Sequence, residues 1–236
     1  MSLFEQVETS GYALIERGLS SAAVAELATN IEAALAAVDD PAISLRNRAG
    51  VYGARNVLEL CPAACTAWRT PPLEQALTAV LGDAFGLVRG LYFDKPPQRS
   101  WSLPWHQDLT IAVTDHRPST QFRKPTTKAG VPHVEAPPEL LAQMLTLRIH
   151  LDDVTDENGP LQVLPGTHRS IADEPPALAP VTIFAKAGDV LAMRPLLFHA
   201  SGASTPGTAR HRRILHLEFA AQRELPEGFA WQTWLR

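Results

Sequence analysis

The sequence predicts a mainly β fold with flanking helices, its core a sandwich or barrel of antiparallel strands. Two observations carry this. From Gly86 onward, short strand-like runs alternate with turn residues, the texture of a sandwich or barrel. Two of those runs, residues 144–152 and 212–219, alternate apolar and polar side chains with the period of two that a strand imposes. Ahead of them lie two segments with helical periodicity.

In chain order, "GYALIERG" (11–18) reads as a short strand. "SSAAVAELATNIEAALAAVDD" (20–40) reads as an amphipathic helix that Ser20 or Ser21 can cap and Asp39-Asp40-Pro41 stops. "PPLEQALTAVLG" (71–82) is a second helix, with proline at its start and glycine at its end. Strand-like runs follow at 91–94, 109–113, 144–153, 161–166, 181–185, 189–194 and 213–220. Residues 113–138 are proline-rich and polar, and read as a long insertion loop. Asn158-Gly159 reads as a tight hairpin turn and Pro165-Gly166 as a second bend, with His168 structural. One domain over 1–236 is expected, with N-terminal helices within 20–82 and a β core over about 86–220.

Composition narrows the function. The net charge is −4, and the one basic cluster, "ARHRR" (209–213), is too small for a nucleic-acid footprint. No apolar run reaches the roughly 18 residues of a membrane span, and residues 1–18 lack the apolar stretch of a signal peptide. A cytoplasmic protein acting on a small molecule, without nucleic acid or membrane, is the expectation. Cys61 and Cys65 fit neither a redox nor a zinc spacing, and read as small buried side chains.

The chemistry begins at "WHQDL". On an extended chain His106 and Asp108 project to one side and Gln107 to the other. Histidine and aspartate at that spacing are two corners of a metal site. Of the eight histidines, His199 is best placed to supply a third, because it ends the run "GDVLAMRPLLFHASGAS" just before a small-residue turn. Two histidines and one carboxylate are the facial set that holds non-heme Fe(II) with open positions. The same three ligands also suit a zinc hydrolase, and a non-catalytic β-sandwich is the third reading. In strand 144–152, Leu145, Leu147 and Ile149 share one face while Thr146, Arg148 and His150 share the other. In strand 212–219, Arg213, Leu215, Leu217 and Phe219 oppose Arg212, Ile214, His216 and Glu218. Each polar face turns either to water or into a cavity.

Three blocks, "LYFDKPPQRSWSLPWHQDLTIAV", "MLTLRIHLDDVTDENGPLQVLPGTHRS" and "GDVLAMRPLLFHASGAS" followed by "RRILHLEF", resemble the phytanoyl-CoA dioxygenase family in order and separation. The resemblance covers roughly residues 10–220. It implies a double-stranded β-helix (jelly-roll) core and a dioxygenase that uses Fe(II), 2-oxoglutarate and O2, releases succinate and CO2, and hydroxylates an unactivated C–H bond. It implies His106, Asp108 and His199 as iron ligands and catalytic residues. It further implies Arg212 on the far carboxylate of 2-oxoglutarate, with Gln107, Arg148, Ser201 and Leu91 around the cosubstrate. Arg210 fits the common family spacing after the distal histidine, whereas Arg212 fits the strand register. Trp101 and Trp105 are candidate cavity walls. A halogenase of the same fold would need a small residue in place of Asp108. The loop cations His116, Arg117, Arg123, Lys124 and Lys128 read either as a solvated face or as a surface for an anionic substrate.

Overall fold

A computed structural model describes residues 1–40, 43–47, 50–97 and 100–236. The N-terminal third carries α1 (Leu3–Ser10), β1 (Tyr12–Ile15), α2 (Ser21–Ala36), β2 (Ser44–Asn47), β3 (Gly50–Ala54), α3 (Val57–Leu60), α4 (Pro62–Thr66) and α5 (Pro71–Leu81). Then come β4 (Gly86–Lys95), β5 (Leu103–His106), β6 (Thr110–Ala112), β7 (Arg123–Lys128), β8 (Val131–Glu135) and α6 (Pro138–Leu141). The last strands are β9 (Met144–His150), β10 (Leu161–Val163), β11 (Val181–Ile183), β12 (Val190–Met193), β13 (His199–Ser201) and β14 (Arg212–Ala220). No helix among the described residues is long and apolar enough to cross a membrane.

All strand pairings are antiparallel, and two sheets make the jelly roll. The larger runs β1-β12-β9-β14-β4-β3-β2 and the smaller β11-β10-β13-β5. The apolar faces read from the alternation pack outward, under the helices. Leu145, Leu147, Ile149, Leu215, Leu217 and Phe219 join Leu27 and Ile31 of α2 and Leu73 and Leu77 of α5 in one core. Trp68, Phe85 and Phe219 meet edge to face there, with centroids 5.5–6.0 Å apart, worth about 0.5–1.5 kcal/mol per pair beyond burial. The opposite faces of β9 and β14 are therefore free to line the interior of the roll.

Several expectations are corrected. The short strand read at 11–18 is present as β1, which pairs with β12, but the segment 20–82 is not only helical, because β2 and β3 extend the large sheet from β4. Ser20, not Ser21, caps α2, accepting from Ala23 N, and the helix ends at Ala36; Pro41 lies outside the described residues. Residues 113–138 are not a loop. β7 and β8 form a hairpin that pairs with β6 in a third sheet, and Val113, Phe122 and Val134 pack against Phe229 and Trp231 in a second core. Asn158 does not sit in a hairpin turn. It closes a short 3₁₀ turn, fully buried, where its amide accepts from Thr155 N and donates to Asp153 O and His211 O. Gly159 follows with φ +66°, and a Cβ there would lie 2.3 Å from Gly202 O.

Candidate active site

His106 ends β5 and His199 begins β13, and the two are directly paired across the small sheet. Their rings sit 4.1 Å apart between centroids. Asp108 lies in the link to β6, where its N–H donates to Pro195 O (2.9 Å). The link stays extended enough that Asp108 returns to the side of His106, as the spacing predicts. One ligand atom from each of the three lies within 4.8 Å of the others.

The chemistry of this donor set calls for a cation. Each imidazole has Nδ1 2.8 Å from a backbone carbonyl, His106 to Pro104 O and His199 to Leu197 O. A carbonyl only accepts, so Nδ1 carries the hydrogen and Nε2 presents a lone pair. Both Nε2 atoms face Asp108, at 3.9 Å for His106 and 3.6 Å for His199. Three electron-pair donors converge with no hydrogen between them. Burial pushes His199 down to about 4, more than the nearby Asp108 raises it, so a proton does not fill the gap at neutral pH. Burial pushes the Asp108 carboxyl up, but His199, His216, His106 and Arg89 outweigh it and hold it at about 2. A divalent metal fits this set, with Asp108 ionised and both histidines neutral.

A small cavity opens beside the trio, lined in part by Leu91, Phe93, Trp101, Arg148, Ser201 and Arg212. Arg212, the first residue of β14, points into it, is 3% exposed and has no partner for its Nε among the described residues. Burial, then the like charge of Arg148, disfavour its charged form. Arg210 is exposed and meets Glu157 (3.3 Å). Arg213 turns outward to Asp152 and Glu32. Of the three arginines, Arg212 is the one that lines the cavity.

Arg148 donates to His216 Nδ1 (3.0 Å), and His216 Nε2 donates to Glu218 (3.1 Å). Glu218 also accepts from Arg89, completing a row of four residues, of which Arg148, His216 and Glu218 are buried. Ser201 Oγ accepts from Lys95 Nζ (3.0 Å). Lys95 is fully buried, lies 4.6 Å above the Trp101 ring and is the cross-strand partner of Arg212.

Gln107 is a correction. It does not line the cavity. Its Nε2 donates to Ser170 O and Leu196 O, and its Oε1 accepts from Ala172 N. An amide committed to three backbone groups ties loops together. Trp101 lines the cavity, whereas Trp105 does not. His168 is buried away from the site, against Gly11. Lys95, His216 and Glu218 carry contacts that sequence reasoning left unassigned. Their signal was present in the alternation, since Lys95 shares a period of two with Leu91 and Phe93, and His216 and Glu218 with Arg212.

A second, larger chamber, of about 270 Å³, shares Leu91, Phe93 and Asp108 with the first and is closed in part by the β7–β8 hairpin.

No curated protein matches the sequence significantly. Solved structures match in fold. The non-heme α-ketoglutarate-dependent epimerase SnoN of nogalamycin biosynthesis is 18% identical, with a TM-score of 0.66 over 92% of this chain and 81% of its own. AviO1 from Streptomyces viridochromogenes Tue57 is 20% identical, with a TM-score of 0.68 over 95% and 96%. The non-heme monooxygenase ThoJ, as its nickel complex, is 20% identical, with a TM-score of 0.68 over 93% and 77%. The sequence itself matches the phytanoyl-CoA dioxygenase family over residues 7–212. With that match spanning most of the chain, the protein belongs to the phytanoyl-CoA dioxygenase family, enzymes that use Fe(II), 2-oxoglutarate and O2.

Proposed function

We propose that the protein is a hydroxylase of this family, acting on an unactivated C–H bond of a small molecule and releasing succinate and CO2. The observation that supports it best is one cavity holding both a two-histidine, one-carboxylate trio and a buried arginine without a carboxylate partner among the described residues. His106, Asp108 and His199 would hold Fe(II) on one face. Bound iron supplies the oxidising power for C–H cleavage. The retained Asp108 carboxylate favours hydroxylation over halogenation.

The chain's own residues do the positioning. Arg212 grips the far carboxylate of 2-oxoglutarate through a planar guanidinium that matches it bidentately. Ser201, pinned by Lys95, offers its hydroxyl beside Arg212. Arg148, steered by His216, lines the same cavity as a second cation. Leu91, Phe93 and Trp101 keep water out, which strengthens each of these charge interactions.

Metal analysis and turnover test the reading together. Purified protein is expected to bind one Fe(II) per chain and to convert 2-oxoglutarate to succinate in oxygen. A metabolite library incubated with it should yield a product heavier by one oxygen atom. His106→Ala, Asp108→Ala and His199→Ala should each abolish turnover and keep the fold. Full activity in all three variants would sink the assignment.

A further inference from the structure

The second chamber has a charge imbalance. Its walls are largely apolar, with Leu58, Val88 and Val131 among them. Besides Asp108, its charged side chains are Arg55, Glu59, Arg89 and Lys128. The Asp108 charge belongs to the metal trio. Arg89 is neutralised by Glu218. Lys128 is different. It is half-buried at the end of β7, its Nζ meets only the Thr110 hydroxyl at 3.4 Å, and no carboxylate lies within ion-pair reach among the described residues.

Lys124, on the exposed face of the same strand, pairs with Glu135 (3.0 Å), and Arg117 pairs with Asp115 (2.7 Å). Of Arg123, Lys124 and Lys128 on β7, Lys128 is the one that lines the chamber. Burial, then Arg89 and Arg55, disfavour its charged form by more than Asp108 and Glu218 favour it. An ammonium drawn partly out of water without an ion-pair partner is stabilised when an anion joins it.

We propose that the primary substrate carries an anionic oxygen group, a carboxylate or a phosphate, seated on Lys128, with an apolar body lying along the chamber toward Asp108. This rests on the oxygenase reading and names the class of substrate it acts on. Of the five loop cations that could have served an anion, Lys128 is the one that lines the chamber.

The test is calorimetric titration of protein loaded with Ni(II) and 2-oxoglutarate, which binds without turning over. The probes are medium-chain alkanoic acids, the matching alkyl phosphates and the matching primary alcohols. At least one anionic series should bind about tenfold or more tightly than the alcohols. The stronger series identifies the group as carboxylate or phosphate. Lys128→Gln should bring the anions down to the alcohols, and Lys128→Arg should keep the preference. Alcohols binding as tightly as the anions, no probe binding at all, or a preference that survives Lys128→Gln would each overturn the proposal. Failure of the wild type to bind metal or 2-oxoglutarate in the preceding titrations would overturn the oxygenase reading, and this one with it.

Discussion

Arg212 and Lys95 are directly opposed on β14 and β4, both sealed from solvent, and no carboxylate lies within ion-pair reach of either among the described residues. Arg148 and Arg212 both line the cavity beside the metal trio. Burial, then Arg212 and Arg148, disfavour the charged form of Lys95, so the pair avoids facing like charges by leaving Lys95 neutral.

Arg212→Ala should weaken 2-oxoglutarate by about 30-fold or more, since losing a desolvated charge-assisted pair costs roughly 2–5 kcal/mol. Arg210→Ala should leave the affinity unchanged, because that side chain meets Glu157 at the surface. Arg213→Ala should lower stability and spare the cosubstrate, because its partners are Asp152 and Glu32. A large loss of binding in Arg210→Ala with none in Arg212→Ala would refute the register argument.

Lys95 gives the cosubstrate-free protein a pH signature. Burial, then Arg212 and Arg148, push its pKa from 10.5 down to about 6. Between those values the unfolded chain holds the proton and the folded chain does not, so raising the pH favours folding across that window. Lys95→Met should flatten this rise in thermal stability. An unchanged slope would show that Lys95 does not titrate there.

Gln107→Ala should lower stability by about 1–3 kcal/mol, because it strands buried backbone groups. The affinity for 2-oxoglutarate should stay within error of wild type. A weakened cosubstrate with intact stability would restore Gln107 to the cavity.

Glu218→Gln removes the one carboxylate between Arg89 and His216. Breaking a buried pair from one side costs about 3–5 kcal/mol. Urea unfolding measures it, and a midpoint equal to wild type would show that the pair contributes nothing.

The parts of this molecule that were legible in its sequence are those where one periodicity governs. The alternation in β9 and β14 identifies which side chains face inward, and Arg148 and Arg212 follow from it. The metal trio was legible because a spacing of two survives in an extended link even where the ladder stops at His106. The β7–β8 hairpin was hidden by its chemistry. β7 is a mostly exposed edge strand of arginine, lysine, proline and threonine, with no apolar face to show. Its turn uses Ala129 and Gly130 at φ +51° and +76°, a conformation usually announced by asparagine-glycine. Helix α1 did leave a signal, the reciprocal cap between Ser2 and Glu5. The role of Gln107 was not legible, since its partners Ser170, Ala172 and Leu196 lie more than sixty residues away.

The hydrogen-bonded row Arg89, Glu218, His216, Arg148 crosses the wall between the two chambers, with one end in each. A wall built of shared hydrogen bonds is a conductor. Any ligand that draws Arg89 away from Glu218 changes what His216 can offer Arg148, and any ligand that turns Arg148 is felt at Arg89. Such coupling is reciprocal by thermodynamic necessity. Ligands in the two chambers are thus expected to change each other's affinity by one common factor, through one row of side chains on β4, β9 and β14.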